Sequence, residues 1–286
     1  MGTTWSLCSR QATEGTRQLI QSHLDQREAV LSHWRQNSAI SRFNDSRSMD
    51  WHSVPPELAQ IVEIARGIAS KTGGALDITL APLIDLWGFG AAGPSASIPT
   101  ESQIAAAKTC CGWQHLQTRL DPPALKKDIP DLRINVASVT EGFVIDELIV
   151  MLKQQDVSNF LLEVGGEVAA IGHAPGDTSW RVGIQTPEAT PGDALQTIPL
   201  SDHCIATSGN YRHRFAKNGQ SYSHLIDPRS GRPITHSLTS VSVIHPSSAL
   251  ADGYATALMI LGPKRGREIA EALGLRVIWI TDQLRD

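Results

Sequence analysis

Two side chains four residues apart near the C-terminal end of the chain could together bind a hard cation. Asp252 and Thr256 lie within residues 251–258, where small and apolar side chains predict a helix. On a helix, positions i and i+4 share one face, so a carboxylate and a hydroxyl would project side by side. Oxygen ligands of this kind suit Mg²⁺. The alternative needs no metal: Asp252 caps the start of the helix and Thr256 bonds to its own turn.

A histidine beside a predicted turn is the candidate proton acceptor. His224 lies in a predicted strand at 221–226, and an Asp-Pro-x-x-Gly turn follows at 227–231. A scaffold can aim such a side chain into a cleft, where imidazole accepts a proton near neutral pH. The alternative is a histidine whose hydrogen bonds are satisfied within the strand.

Two further stretches carry polar groups next to glycines. Thr207-Ser208-Gly209-Asn210 is a donor-rich loop that could hold phosphate oxygens. Glu163 and Glu167 flank Gly165-Gly166, and two neighbouring carboxylates could serve acid–base chemistry. For this second stretch we favour a structural explanation, in which the glycines allow close packing of the backbone.

Aromatic side chains could cover a planar ligand, although packing in the core is the default expectation for each of them. They are Trp34, Phe43, Trp87 and Phe89. The sequence contains no G-x-G-x-x-G, Walker A or G-x-S-x-G motif. This disfavours common dinucleotide oxidoreductases, P-loop enzymes and α/β-hydrolases.

Composition excludes several classes of partner. The 286 residues include 25 Lys and Arg against 29 Asp and Glu, a net charge of −4, without basic runs. We therefore expect no nucleic-acid partner and no polybasic membrane surface. No segment approaches the roughly 18 apolar residues of a transmembrane helix. Four cysteines, Cys8, Cys110, Cys111 and Cys204, lack C-x-x-C spacing, so neither a disulfide framework nor a zinc site is expected.

The elements that must position these groups follow from hydrophobic periodicity and capping signals. Helices are predicted at 16–33, between Pro56 and Gly73, from Thr100 to Gly112, and at 143–152, 248–261 and 264–272. Strands are predicted at 132–136, 160–164, 168–171, 180–185, 203–207, 221–226, 239–244 and 276–280, and an ordered loop at 80–99.

Strands that gather in clusters between helices, without a regular βαβ alternation, predict an α+β fold with largely antiparallel sheets and flanking helices. No Pro-, Ser- or Gly-rich linker divides the chain. We therefore expect a single domain over residues 1–286. Within it, a helical lobe at 1–110 would lie over a sheet-rich remainder at 111–286.

A set of short stretches spread along the chain forms a recognisable series. They are Met1-Gly2-Thr3, 38–44, 74–79, Pro82-Leu83, 86–90, Glu141-Gly142-Phe143 with Asp146, 163–167, 206–209, 223–231 and 252–258. Their order along the chain resembles the ApbE family of FAD:protein FMN transferases, and the likeness runs from residue 1 to about residue 262. It looks closest to members associated with the maturation of nitrous-oxide-respiration flavoproteins. The family implies a T-fold-like α+β architecture.

The resemblance also implies site residues. It implies that Mg²⁺ is held by the backbone carbonyl of Ser138 together with Asp252 and Thr256, and that His224 lies beside the reacting phosphate, while Thr207 and Ser208 remain phosphate-binding candidates. Asn135 stands where many members carry Asp, and Glu141 where many carry Lys; we expect Asn135 to weaken metal or FAD affinity. The implied FAD contacts are Met1, Trp34, Ala75, Leu76, Asp77, Asn135, Glu141 and Ile226.

The activity implied by the family is Mg²⁺-dependent transfer of FMN from FAD to a threonine of a partner flavoprotein, with release of AMP. Two alternatives stay open: a Mg²⁺-dependent FAD pyrophosphatase that yields FMN and AMP, and a flavin carrier without catalysis. The aromatic Trp34 looks like the transferase members. Family members usually work outside the cytoplasmic membrane, and a chain that starts at the family's Met-Gly-Thr looks like a mature domain whose export signal has been removed. We therefore expect a periplasmic location.

Overall fold

A computed structural model of the protein describes residues 2–90, 93, 97–185, 196–210, 214–217 and 220–281. Its helices there are α1 (Glu14–Leu31), α2 (Ala39–Asp45), α3 (Pro56–Lys71), α4 (Ala81–Leu86), α5 (Glu101–Lys108), α6 (Ala137–Gln154) and α7 (Ser248–Ala272), with a 3₁₀ turn at Trp113–His115. Its strands there are β1 (Trp5–Cys8), β2 (His52–Ser53), β3 (Leu116–Leu120), β4 (Pro123–Lys127), β5 (Phe160–Val164), β6 (Glu167–Ile171), β7 (Trp180–Ile184), β8 (Gln196–Leu200), β9 (His203–Gly209), β10 (Arg214–Lys217), β11 (Gln220–Ser223), β12 (Ile226–Asp227), β13 (Arg232–Pro233), β14 (Leu238–His245) and β15 (Arg276–Thr281).

A six-stranded sheet in the order β1-β5-β6-β9-β14-β15 forms the centre, and every neighbouring pair is antiparallel. One face packs on α6 and α7, which also pack on each other. The β7–β8 hairpin lies against the other face with its own apolar cluster. Because side chains alternate across a strand, neighbouring residues of β6 and β9 serve the two different cores. The predicted α+β fold with antiparallel sheet is confirmed.

Local signals in the sequence set most helix ends correctly. Thr100 and Gln103 form the predicted capping box of α5, although the helix ends at Lys108 rather than at Gly112. The predicted break between the last two helices is also present, as a kink in α7 at Gly262, whose φ is 77°, followed by Pro263.

Among the described residues, no helix combines the length and apolar character needed to cross a bilayer.

The strand predicted at 132–136 is wrong. Its apolar residues are buried, which produces the alternation, but the backbone makes only an isolated bridge from Arg133 to Leu80. Side chains replace a partner strand. Asn44 bonds both the N–H and the C=O of Ile134, at 2.8 Å each, and the Lys127 amine donates to the Leu132 carbonyl at 2.8 Å. Alternating burial of these side chains therefore produced the two-residue period of a strand in a segment that is not a strand.

Other differences concern short elements. Helix α4 lies where an ordered loop was predicted, and the strand predicted at 221–226 is divided between β11 and β12. Strands β1 to β4, β8, β10 and β13 were not predicted, because segments of two to five residues carry little periodicity. Strand β1 pairs with β5 at the edge of the central sheet. The first 110 residues thus contribute a strand to the sheet, and the division into two lobes stays a prediction.

Candidate functional site

Asp252 lies inside helix α7 rather than at its end. The helix is capped by Ser247, whose hydroxyl accepts the Leu250 N–H at 3.3 Å. Asp252 follows this cap by more than one turn. The alternative in which Asp252 is the N-cap is therefore wrong, and its carboxylate is available for another purpose.

The carboxylate of Asp252 is buried among groups of its own charge. Its side chain is 7% exposed, and its Oδ2 accepts a hydrogen bond of 3.2 Å from the Gly142 N–H of α6. Burial raises the pKa of Asp252 well above its usual value, and the negative charges of Glu167 and Glu141 raise it further. Within the described part of the chain, no Lys or Arg side chain pairs with it. A cation would relieve this repulsion.

Glu163 and Glu167 do not act as a pair, because they point to opposite faces of the sheet. Gly165-Gly166 forms a two-residue turn with positive φ at both positions, and Val164 pairs with Glu167. Paired residues share a face, so Glu167 points with Val164 toward α6 and α7. Glu163 lies on the other face, where its carboxylate accepts the Gly166 N–H at 2.9 Å. The favoured structural explanation thus holds for Glu163, whereas Glu167 forms an acidic cluster with Asp252 and Glu141.

The hydroxyl of Thr256 meets Ser208 of β9, and the two oxygens are 2.9 Å apart. Thr256 therefore bonds across to the sheet, in contrast to the alternative in which it bonds to its own turn. Thr207 points to the opposite face and bonds Ser242, with 2.7 Å between the hydroxyl oxygens. The two phosphate-binding candidates are thus separated by the pleat of β9, and of the two only Ser208 contacts Thr256.

Ser138 and Glu141 lie in the first turns of α6, which face α7. In a regular helix the Gly142 N–H is directed at the carbonyl four residues earlier, that of Ser138. The same N–H contacts Asp252 Oδ2, so the carbonyl and the carboxylate are brought to one place. The donors gathered there are oxygens, which fits Mg²⁺. No three Asp, Glu, His or Cys side chains among the described residues form a metal cluster, so hydroxyl and carbonyl oxygens would have to complete the site.

The segment 75–79 is fixed to α7 and to the loop before β3. Ala75 and Leu76 are buried, and a Cβ at Gly253 would lie 3.4 Å from Leu76. Asp77 Oδ1 accepts the Thr79 N–H at 2.8 Å, and its Oδ2 accepts the Trp113 N–H at 3.1 Å. Burial raises the pKa of the Asp77 carboxyl, in spite of these donors. Its side chain shapes the segment, and a contact with FAD stays a prediction.

Asn135 joins this segment to α6. Its N–H donates to the Ile78 carbonyl at 2.7 Å, and its side-chain oxygen accepts the Ala137 N–H at 3.0 Å. The amide oxygen is therefore used at the start of α6, immediately before Ser138.

Aromatic residues form two separate groups. His224 lies edge-on to Phe89, with ring centroids 6.3 Å apart, and Ile226 is buried with Leu80 and Trp87. Trp34 is 62% exposed and contacts His33. Phe43 and Trp87 pack in the core, as expected by default. Met1 lies outside the described residues.

Comparison with known proteins decides the family. The model of the ApbE family matches residues 1–279. The chain belongs to the ApbE family. It is 40% identical over 287 residues to the FAD:protein FMN transferase of Salmonella typhimurium, which covers 98% of this chain and 82% of the relative. It is 38% identical over 290 residues to the FAD:protein FMN transferase of Escherichia coli K12, with 99% and 82% covered.

Solved structures of this family share the fold. The flavin transferase ApbE from Vibrio cholerae is 33% identical, with a TM-score of 0.88 over 98% of this chain and 91% of that one. The flavinyl transferase ApbE of Pseudomonas stutzeri is 33% identical, with a TM-score of 0.87 over 99% and 90%.

The sequence motifs of this ApbE chain did not reveal the roles of two residues at the acidic cluster, Glu167 and Gly142. Glu167 was assigned with Glu163 to glycine packing, although the two-residue turn between them indicates that they point to opposite faces. Gly142 carries no side chain, and its role depends on the approach of α7: a Cβ there would lie 2.4 Å from the Ser248 carbonyl oxygen. The resembling stretch Glu141-Gly142-Phe143 was the available signal.

Proposed function

We propose that the protein is a Mg²⁺-dependent FAD:protein FMN transferase that modifies a threonine of a partner flavoprotein. The observation that carries the proposal is the buried carboxylate of Asp252, which pairs with no Lys or Arg side chain among the described residues. The charges of Glu167 and Glu141 act on it and raise its pKa. Membership of the ApbE family supports the same reaction. A flavin carrier would have no evident use for a costly cluster of like charges.

Asp252, the hydroxyl of Thr256 and the Ser138 carbonyl are the groups that would hold the cation. When bound there, Mg²⁺ would supply charge neutralisation at the pyrophosphate of FAD. The Thr256 hydroxyl is oriented by Ser208, and Asp252 is oriented by the Gly142 N–H. Backbone and hydroxyl groups of α6, α7 and β9 thus fix the ligand oxygens before the substrate arrives.

In the proposed reaction, the threonine oxygen of the partner forms a bond to the phosphorus on the FMN side of FAD. The bond from that phosphorus to the AMP oxygen breaks, and AMP leaves. His224 accepts the proton of the threonine hydroxyl, or orients that hydroxyl. The rings of Phe89 and His224 meet edge to face, which restrains the imidazole.

The test uses the full chain with FAD, Mg²⁺ and a peptide that carries an acceptor threonine, and a matched peptide with valine in its place. Mass spectrometry should find FMN attached only to the threonine peptide, with AMP released in equal amount. Release of AMP and free FMN without an adduct would contradict transfer and indicate the pyrophosphatase. Bound, intact FAD without AMP would indicate the carrier. A reaction that persists in EDTA would refute the metal requirement.

We also propose that the protein works in the periplasm. The support is the family resemblance alone, because its members usually act outside the cytoplasmic membrane. Fractionation of the native cells should recover the protein with periplasmic markers, and recovery with cytoplasmic markers would overturn this location.

A further inference from the structure

Helix α6 contacts the first turn of α7 through two residues one turn apart. At Gly142 the helices approach so closely that a Cβ would lie 2.4 Å from the Ser248 carbonyl oxygen. At Asp146, four residues later, a carboxylate reaches the start of α7. Since positions i and i+4 share a helix face, the two residues form one contact surface.

The carboxylate of Asp146 accepts three hydrogen bonds from α7. Its Oδ1 accepts the Ser248 N–H at 2.6 Å, and its Oδ2 accepts the Ala249 N–H at 3.0 Å and the Ser247 hydroxyl at 2.6 Å. The first N–H groups of a helix lack partners within it, and they carry the positive end of the helix dipole. A negative side chain from α6 therefore holds α7 at a defined distance and rotation.

Both halves of the proposed cation site depend on this distance. Asp252 and Thr256 lie one and two turns beyond the contact on α7, whereas Ser138 and Glu141 lie before it on α6. The hydrogen bond that joins the halves, from the Gly142 N–H to Asp252, is long at 3.2 Å and cannot set their spacing by itself.

We propose that Asp146 is a positioning residue, whose carboxylate fixes α7 against α6 and thereby sets the spacing of the oxygen donors around Asp252. The inference rests on the proposed function, because the spacing matters only if those donors bind a cation. Asp146 itself lies outside the site and touches no reacting group.

The test compares Asp146→Asn with Ser247→Ala in the full chain. Asparagine keeps the shape of Asp146 but offers one acceptor oxygen, so one of the two backbone N–H groups loses its partner. Ser247→Ala removes the N-cap hydroxyl and its bond to Asp146 but leaves both backbone bonds. The control thus weakens the start of α7 without releasing α7 from α6.

The probe is Mn²⁺, which prefers the same oxygen ligands as Mg²⁺ and is followed by the EPR signal of the free ion. For Asp146→Asn we expect the Kd for Mn²⁺ and the half-saturating Mg²⁺ concentration for FMN transfer to rise about tenfold or more, as for other residues that orient metal ligands. Ser247→Ala should lower Tm yet keep the wild-type Kd. A purely structural role would lower Tm in both variants and change the Kd in neither.

A folded Asp146→Asn protein with the wild-type Kd for Mn²⁺ would overturn the inference while leaving the transferase intact. Wild-type protein that binds no Mn²⁺ would overturn both proposals. If Asp146→Asn does not fold, Gly142→Ala tests the same spacing, because the added methyl group forces α7 away from α6. A wild-type Kd in that variant, or failure of both variants to fold, would also reject the positioning role.

Discussion

Helix α6 carries two glutamates in contrasting surroundings, Glu147 beside cationic side chains and Glu141 close to the carboxylate of Asp252. Glu147 accepts Arg27 Nε at 2.6 Å and His23 Nε2 at 3.0 Å, and Arg27 also bonds Glu57 at 2.8 Å. Although burial opposes it, the hydrogen bonds from His23 and Arg27 hold the pKa of Glu147 below its usual value. Glu141, less than two turns earlier, has a pKa raised by burial and adds its negative charge to that of Asp252.

The charges around Glu147 stabilise the fold, whereas those around Asp252 destabilise it. The Glu147 network joins α1, α3 and α6 with opposite charges, so the Glu147 carboxylate gains from being ionised in the folded state. Around Asp252 the ionised forms repel one another, and folding is opposed at neutral pH. A fold that keeps such a cluster has a use for it, and binding of a cation is the use that the oxygen donors support.

Asp252→Asn should have the largest effect on activity. The substitution keeps the shape and an acceptor for the Gly142 N–H but removes the negative charge that would bind the cation. Because loss of such a ligand costs several kcal/mol of transition-state stabilisation, we expect FMN transfer to fall about 10³-fold or more. Tm in EDTA should stay the same or rise, because a repelling charge has been removed. Single-turnover rates and thermal unfolding check both expectations.

The control is Ser208→Ala, which removes only the hydroxyl that contacts Thr256. It should slow transfer far less than Asp252→Asn does. Near-wild-type transfer by folded Asp252→Asn would show that the acidic cluster has no catalytic use, and the comparison with the Glu147 network would lose its functional meaning.

His224→Ala tests whether proton transfer contributes separately from the acidic cluster. A side chain that accepts the threonine proton contributes about 10²-fold or more, and so we expect that loss in the transfer rate, with Kd values for FAD and Mn²⁺ unchanged. His173→Ala, in an exposed turn, is the matched control. If FAD affinity and Tm fall together in His224→Ala while the single-turnover rate is kept, the histidine only packs against Phe89.

The sequence was sufficient for the parts of the site that local rules decide. The spacing of Asp252 and Thr256 placed both on one face of α7, and capping signals located α5. It was insufficient where long-range contacts decide. The role of Glu167 depends on a hairpin register, and that of Gly142 on the approach of another helix. Residues 132–136 show the reverse error, since side-chain bonds from Asn44 and Lys127 replaced the expected strand.

Glu147→Gln should mainly affect stability. Glutamine keeps the shape but removes the charge that pairs with Arg27, and charged hydrogen bonds of this kind contribute about 2 kcal/mol. We expect the free energy of unfolding to fall by about that amount, with the Kd for Mn²⁺ unchanged. Urea unfolding measures the first quantity. Glu268→Gln, in an exposed pair with Arg265, is the control and should change stability by less than about 0.5 kcal/mol. Equal effects in the two variants would contradict the network.

The smallest effect is a pH dependence whose sign differs between the two regions in metal-free protein. Groups with raised pKa take up protons at a higher pH in the folded state than in the unfolded state, so they add stability as the pH falls from neutral. Glu147 behaves in the opposite way: its contribution is present above the unfolded pKa of about 4.3 and is lost as the pH falls through its lower folded pKa. The carboxyl groups with raised pKa are Asp77, Glu141, Asp146 and Asp252.

Urea unfolding in EDTA across pH 7 to about 3 should therefore show a rise in the free energy of unfolding from these carboxyl groups followed by a fall, each proton contributing at most about 1.4 kcal/mol per pH unit. Burial lowers the pKa of His33, His236 and His245, so these three side chains reduce the rise in wild type and variants alike. Asp252→Asn should flatten the rise, because one of the protons is no longer taken up, and leave the fall unchanged. Glu147→Gln should reduce the fall and leave the rise. If Asp252→Asn follows the wild-type curve at every pH, the charge of Asp252 does not lower the free energy of unfolding. Glu141 and Glu147 would then differ only in how deeply they are buried.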